Sequence, residues 1–195
     1  MRLLQTLSLC LLCGLAITAC GQSGKEYPVG ILIDPSIQKA GVKAKEVNTF
    51  KTERLINGKP VENDVTGGLM QIPLMSVSSF DKSDTLLTFI GMLVPYGFQI
   101  QISGDSIHVK AFVSSRSCEC FKEKLSDPRG YGAGAKANNL TLVANKLHDL
   151  KKGDVVFGYI KFNSDELYHF INPRDDKNYE TWKFNYEGYF KVDIK

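Results

Sequence analysis

The sequence predicts one mainly β domain, an antiparallel β-sandwich, and three observations carry that expectation. Apolar and polar residues alternate with period two in several short runs, the pattern of strands with one buried and one wet face. Turn residues such as Asn57-Gly58 and Ser103-Gly104-Asp105-Ser106 separate the runs. Many short strands punctuated in this way favour two packed antiparallel sheets, and no repeat recurs at a fixed period.

Taken in order, residues 29–33 form a compact apolar run stopped by Asp34-Pro35. Leu55-Ile56-Asn57-Gly58-Lys59-Pro60-Val61 is a hairpin signal, because Asn-Gly readily adopts the positive φ angles of a two-residue turn. Residues 69–77 contain Pro73, which lacks an N–H and so points to an edge or bulged strand. Residues 84–94 fit two patterns. Leu86, Phe89, Ile90 and Leu93 share one helical face with Asp84 as N-cap, yet a strand buried on both faces also suits the run, and the neighbouring strands favour it. The clearest hairpin has Phe98, Ile100 and Ile102 on one arm and Ile107, Val109, Ala111 and Val113 on the other. Leu140 and Leu142 alternate with polar neighbours, residues 155–162 are apolar on both faces as in a central strand, and Trp182, Phe184 and Tyr186 alternate with Lys183, Asn185 and Glu187. Residues 189–194 close the chain.

The first residues read differently. Arg2 is the only charge before Lys25, and it precedes a leucine-rich stretch ending in the small residues Thr18 and Ala19. This is the charged, apolar and small-residue order of a secretory leader, and its uninterrupted apolar run is too short to span a bilayer. Ile17-Thr18-Ala19-Cys20 resembles the lipobox of bacterial lipoproteins. That resemblance, confined to residues 1–22, implies cleavage before Cys20 and lipidation of its sulfur, with the membrane as partner. It divides the chain into a leader (1–19), a lipidated Cys20 with a short polar tether (20–26) and the β domain (27–195). Gly21, where an Asp favours inner-membrane retention in enterobacteria, implies an outer-membrane destination in the cell envelope.

Composition narrows the functions. The chain has 195 residues with 24 Lys and Arg against 21 Asp and Glu. That near-balance, with no basic block, gives no case for nucleic acid. Of five cysteines only Cys118 and Cys120 lie beyond residue 20, so this is no disulfide-built scaffold.

Cys118-Glu119-Cys120 is the most conspicuous chemical cluster. On a strand both sulfurs face one way and can meet one soft metal ion, but no His spacing completes a zinc site. Fully extended i and i+2 positions lie too far apart for an easy disulfide, which a turn at Glu119 would relieve. The favoured reading is two packed thiols. Residues 126–138 lack a strand pattern, and Arg129, Gly130, Tyr131, Gly132, Gly134 and Lys136 outline a loop able to offer N–H groups to an anion. Trp182, Phe184 and Tyr186 read as a core stripe. His148-Asp149 does not orient a catalytic dyad, and the pairs Asp165-Glu166 and Asp175-Asp176 read as turn carboxylates. No cofactor motif and no catalytic constellation emerges. The sequence therefore favours a non-catalytic binding or assembly module that presents its Gly-rich loop to an envelope protein or glycan. The alternative is a metal- or thiol-dependent envelope enzyme using Cys118 and Cys120.

Overall fold

A computed structural model describes residues 30–39, 47–61, 70–80, 84–91 and 94–195; the leader, Cys20 and the tether lie outside these residues. Twelve strands are present among them: β1 (Ile31–Ile33), β2 (Thr49–Ile56), β3 (Lys59–Pro60), β4 (Met70–Phe80), β5 (Asp84–Gly91), β6 (Tyr96–Ser103), β7 (Ser106–Ser114), β8 (Phe121–Lys122), β9 (Gly132–Ala144), β10 (Val155–Ser164), β11 (Leu167–Phe170) and β12 (Tyr179–Asp193). A 3-10 turn, Pro35–Lys39, follows β1. The strand ladders are antiparallel except for β1, which lies parallel to the end of β9. No helix among the described residues is long and apolar enough to cross a membrane.

The strands make two sheets that share their margins. One contains residues 137–144 of β9, then β10, β12, β2 and residues 70–73 of β4. The other contains residues 74–80 of β4, then β5, β6, β7 and residues 132–136 of β9. The antiparallel, mainly β expectation holds, and the pairings add that β4 and β9 each run from one sheet into the other. Following neighbours from β2 through β4, β5, β6, β7, β9, β10 and β12 therefore returns to β2, which closes the ring. Pro73 stands at one crossing, where it pairs with Thr49 of β2 just before Leu74 takes up pairing with Gly91 of β5. The other crossing is followed by a bulge. Asn138 faces Asn163 while Thr141 faces Lys161, so β9 carries one extra residue there. Asn139 takes φ 49° to accommodate it, a left-handed conformation that Asn tolerates better than most residues.

Local chemistry explains the turns and the ambiguous strand. Asn57 and Gly58 have φ of 50° and 75°, the mirror-image turn that matches strand twist. Residues 84–91 are a strand with Thr85, Leu87, Phe89 and Gly91 buried and the alternate positions half-buried. The run thus has one inner face rather than two.

The inner faces interdigitate through aromatic rings. Phe98 of the second sheet lies 5.0 Å from Phe50, 5.7 Å from Phe162 and 5.2 Å from Tyr186, all three in the first. Phe89 stacks beside it at 4.4 Å and meets Phe190 at 5.4 Å. The buried Tyr186 hydroxyl donates to the Gly97 carbonyl across the interior at 3.2 Å, so its polar end is satisfied. Gly158 makes room for this packing, since a Cβ there would sit 2.5 Å from the Phe190 ring. The expected stripe Trp182, Phe184 and Tyr186 is core, and so are both arms of the β6–β7 hairpin.

Phe98→Ala is expected to destabilise the domain by about 3–5 kcal/mol, because the rings around it cannot collapse into the space. Met75→Ala, at a half-exposed position on the outside of β4, should stay within about 0.5 kcal/mol of wild type. Urea unfolding of the two variants checks both values.

Candidate functional site

The Gly-rich segment is shorter as a loop than its sequence suggests. Arg129, Gly130 and Tyr131 are outside the long strands, but Gly132, Gly134 and Lys136 belong to β9 and pair with β7. Ala133 and Ala135 point inward, so small residues alternate here to let backbones approach closely. A Cβ on Gly132 would lie 2.8 Å from the Val113 carbonyl oxygen. The Gly134 N–H, one of those proposed for an anion, is already donated to the Glu123 carboxylate at 2.9 Å. Arg129 is likewise engaged, lying 4.1 Å over the Phe170 ring and paired with Asp176. Residues 132–136 are thus the start of a strand and not part of a loop, with Glu123 latching the Gly134 N–H.

Cys118 and Cys120 are joined as a disulfide, which corrects the packed-thiol reading. Their Cα atoms lie 5.5 Å apart, inside the usual span, so the backbone at Glu119 is not fully extended. Just before the pair the chain bends at Arg116 and Ser117, where Ser115 Oγ accepts the N–H groups of Ser117 and Cys118, each at 3.3 Å. Among the described residues no group of three or more His, Cys, Asp or Glu is gathered to hold a metal ion. The acidic turn pairs have protein partners: Asp165 accepts from Asn138, Glu166 meets Lys183 at 3.2 Å, and Asp175 accepts the Lys177 N–H. His148 Nδ1 lies 3.2 Å from the Gly104 carbonyl oxygen.

The polar groups that do converge lie on the outer face of the first sheet. β10, β12 and β2 run side by side there, so outward residues fall into cross-strand rows. One row is Lys161, Glu187 and Lys51; the next is Asn163, Asn185 and Glu53. The bulge at Asn139 brings a third amide beside the second row, and its Nδ2 donates to Asn163 Oδ1 at 3.1 Å. A third row, Tyr159 opposite Tyr189, flanks the ionic one with rings 5.2 Å apart. The ionic and amide rows, with Asn139, line a groove of about 360 Å³ that the tyrosine pair flanks.

Internal contacts hold the groove in shape. Asn185 Nδ2 donates to Glu53 Oε2 at 2.6 Å, Lys161 Nζ pairs with Glu187 Oε2 at 3.3 Å, and the Tyr159 hydroxyl donates to Glu187 Oε1 at 3.1 Å. No described protein group takes Asn163 Nδ2 or Asn185 Oδ1, so a donor and an acceptor remain for a ligand. Burial and then the adjacent Glu187 carboxylate push the Tyr159 phenol up to about 12, so it stays a donor at neutral pH. Burial alone would raise Glu187, but the Tyr159 and Lys161 hydrogen bonds outweigh it and hold the carboxyl below its ordinary 4.5. Glu187 is thus an ionised acceptor, and the two lysines and two glutamates balance.

Comparison with protein-family models, with curated proteins and with solved structures finds no match. The chemistry of the site must therefore be argued from its own side chains. Its Lys, Asn and Glu residues are the wet half of the same alternation that fills the core. What a linear reading misses is their assembly, since Glu53 and Asn185 meet across 132 positions.

The Glu187 shift has a measurable consequence. Its folded pKa lies below the unfolded value, so the ionised contacts add stability above the ordinary carboxylate range and lose it as pH falls through the folded pKa. Between about pH 7 and about pH 3 the urea midpoint of Glu187→Gln should fall less than that of wild type.

Proposed function

We propose that the chain is a lipid-anchored bacterial envelope protein, attached through Cys20, whose β domain is a non-catalytic module binding a neutral glycan along the β2–β12–β10–β9 groove. The single observation that carries the reading is the pair of cross-strand rows, Lys161-Glu187-Lys51 and Asn163-Asn185-Glu53, on one open face. Sugar hydroxyls donate and accept at once. A face that alternates amides with ionised acceptors and ammonium donors matches that dual demand better than a purely acidic or basic surface does. Local charge balance favours a neutral polymer, and the Tyr159 and Tyr189 rings offer an apolar flank for sugar C–H faces. The interior is no rival site, because Phe50, Phe89, Phe98, Phe184 and Phe190 occupy it with no exposed surface. Anchoring rests on the lipobox sequence, and Gly21 favours the outer membrane.

Titration calorimetry with neutral oligosaccharides released from the host envelope tests the groove. Binding is expected, and Asn163→Ala and Asn185→Ala should each weaken it about tenfold with melting temperature little changed, the loss of a good hydrogen bond in a ligand site. Binding unaffected by both substitutions, or capture of an envelope protein with no glycan bound, overturns the reading.

A further inference from the structure

We infer that Cys118–Cys120 is a reversible thiol–disulfide exchange centre in which Cys118 is the sulfur that meets the external thiol. The inference is independent of glycan binding.

The bond is poorly placed as a staple. It encloses only Glu119, and a cross-link that closes so short a loop removes little freedom from the unfolded chain. The surrounding segment is held by other means. Cys120 accepts the Phe170 N–H at 2.8 Å, Phe121 and Gly130 exchange backbone hydrogen bonds at 3.2 and 3.0 Å, and Glu123 binds the Gly134 N–H. Phe121 packs on His169 at 4.9 Å and on Trp182 at 5.7 Å. Opening the disulfide breaks none of these contacts.

The two sulfur-bearing residues are unlike. Cys120 is 3% exposed, whereas Cys118 is half-buried at the surface with Ser115 Oγ 3.6 Å from its sulfur. An incoming thiolate therefore attacks Cys118 Sγ. The S–S bond breaks, its electron pair passes to Cys120 Sγ, and that sulfur takes up a proton. A second external thiolate attacks the external sulfur of the mixed disulfide, that S–S bond breaks, and Cys118 Sγ leaves as a thiolate and takes up a proton, so the balance is one protein disulfide plus two thiols giving one protein dithiol plus one external disulfide. In the reverse direction the Cys118 thiolate, receiving a hydrogen bond from Ser115, attacks an external disulfide and Cys120 resolves the mixed species.

The test equilibrates the full chain in graded reduced-to-oxidised glutathione buffers, quenches with acid, alkylates, and reads the mass of the peptide holding Cys118 and Cys120. A two-electron transition within the glutathione range is expected, with the reduced domain still folded by circular dichroism. With glutathione disulfide, Cys120→Ser should form its mixed disulfide at Cys118 at least about tenfold faster than Cys118→Ser does at Cys120, because access limits the buried sulfur. A pair that stays oxidised in the most reducing buffer, a domain that unfolds on reduction, or single variants that react within about twofold of each other would overturn the inference.

Discussion

The register of β12 is the constraint on which both the core and the outer groove depend. Its even positions, Trp182, Phe184, Tyr186, Phe190 and Val192, are buried, while its odd positions include Asn185, Glu187 and Tyr189. The strand pairs with β2 along one side and with β10 and β11 along the other, and through β2 it closes the ring. A slip of one residue would exchange the two faces, putting Asn185 and Glu187 inside and Phe184 and Tyr186 in water. Because that exchange would strip the core of its largest rings, packing fixes the groove's geometry as firmly as it fixes the interior. Replacing groove residues therefore need not disturb the fold, whereas moving the fold must disturb the groove.

Arg54 closes one end of that interior. It shares the inner face of β2 with Phe50 and Thr52, and its guanidinium lies 4.7 Å over the Trp182 ring and 6.0 Å from Tyr96. Beside it, burial holds His169 below its ordinary pKa against the opposing pull of Glu180, with the nearby Arg54 charge acting in the same downward direction. The partly buried Arg54 charge and the partial burial of His169 thus both favour the neutral imidazole. The β8 segment lays Phe121 against both Trp182 and His169, so the region carrying the disulfide also covers this end.

Much of the fold was legible because period two survives wherever one face is buried. The β6–β7 hairpin, the Asn57-Gly58 turn and the central β10 all carry local signals, and each is found where its residues placed it. Residues 132–136 carry no such signal, because Gly and Ala offer no polar–apolar contrast, so alternation there is invisible although Ala133 and Ala135 face inward. The disulfide is hidden for a different reason. Whether the backbone turns at Glu119 decides if the two sulfurs can bond, and no hydrophobic pattern reports that the Cα atoms there come within 5.5 Å. The ring closure and the groove were beyond a linear reading, because they depend on which distant strands meet.

The position of the groove bears on what an anchor at Cys20 would do. β1 lies beside residues 142–144, and the Gly30 carbonyl accepts the Leu142 N–H at 2.7 Å. Gly30, with φ of 91°, approaches so closely that a Cβ would sit 1.9 Å from the Leu140 carbonyl oxygen. Leu140 directly follows Asn139, which lines the groove, so the chain joins the domain at the groove's β9 margin. Residues 20–30 span at most about 35 Å even when fully extended. A lipid on Cys20 would hold that margin within this distance of the bilayer, and a bound polymer would lie alongside the membrane rather than far out from it. On the proposed reading, attachment and recognition would lie near one margin of the domain, and a bound polymer would be held close to the anchoring surface.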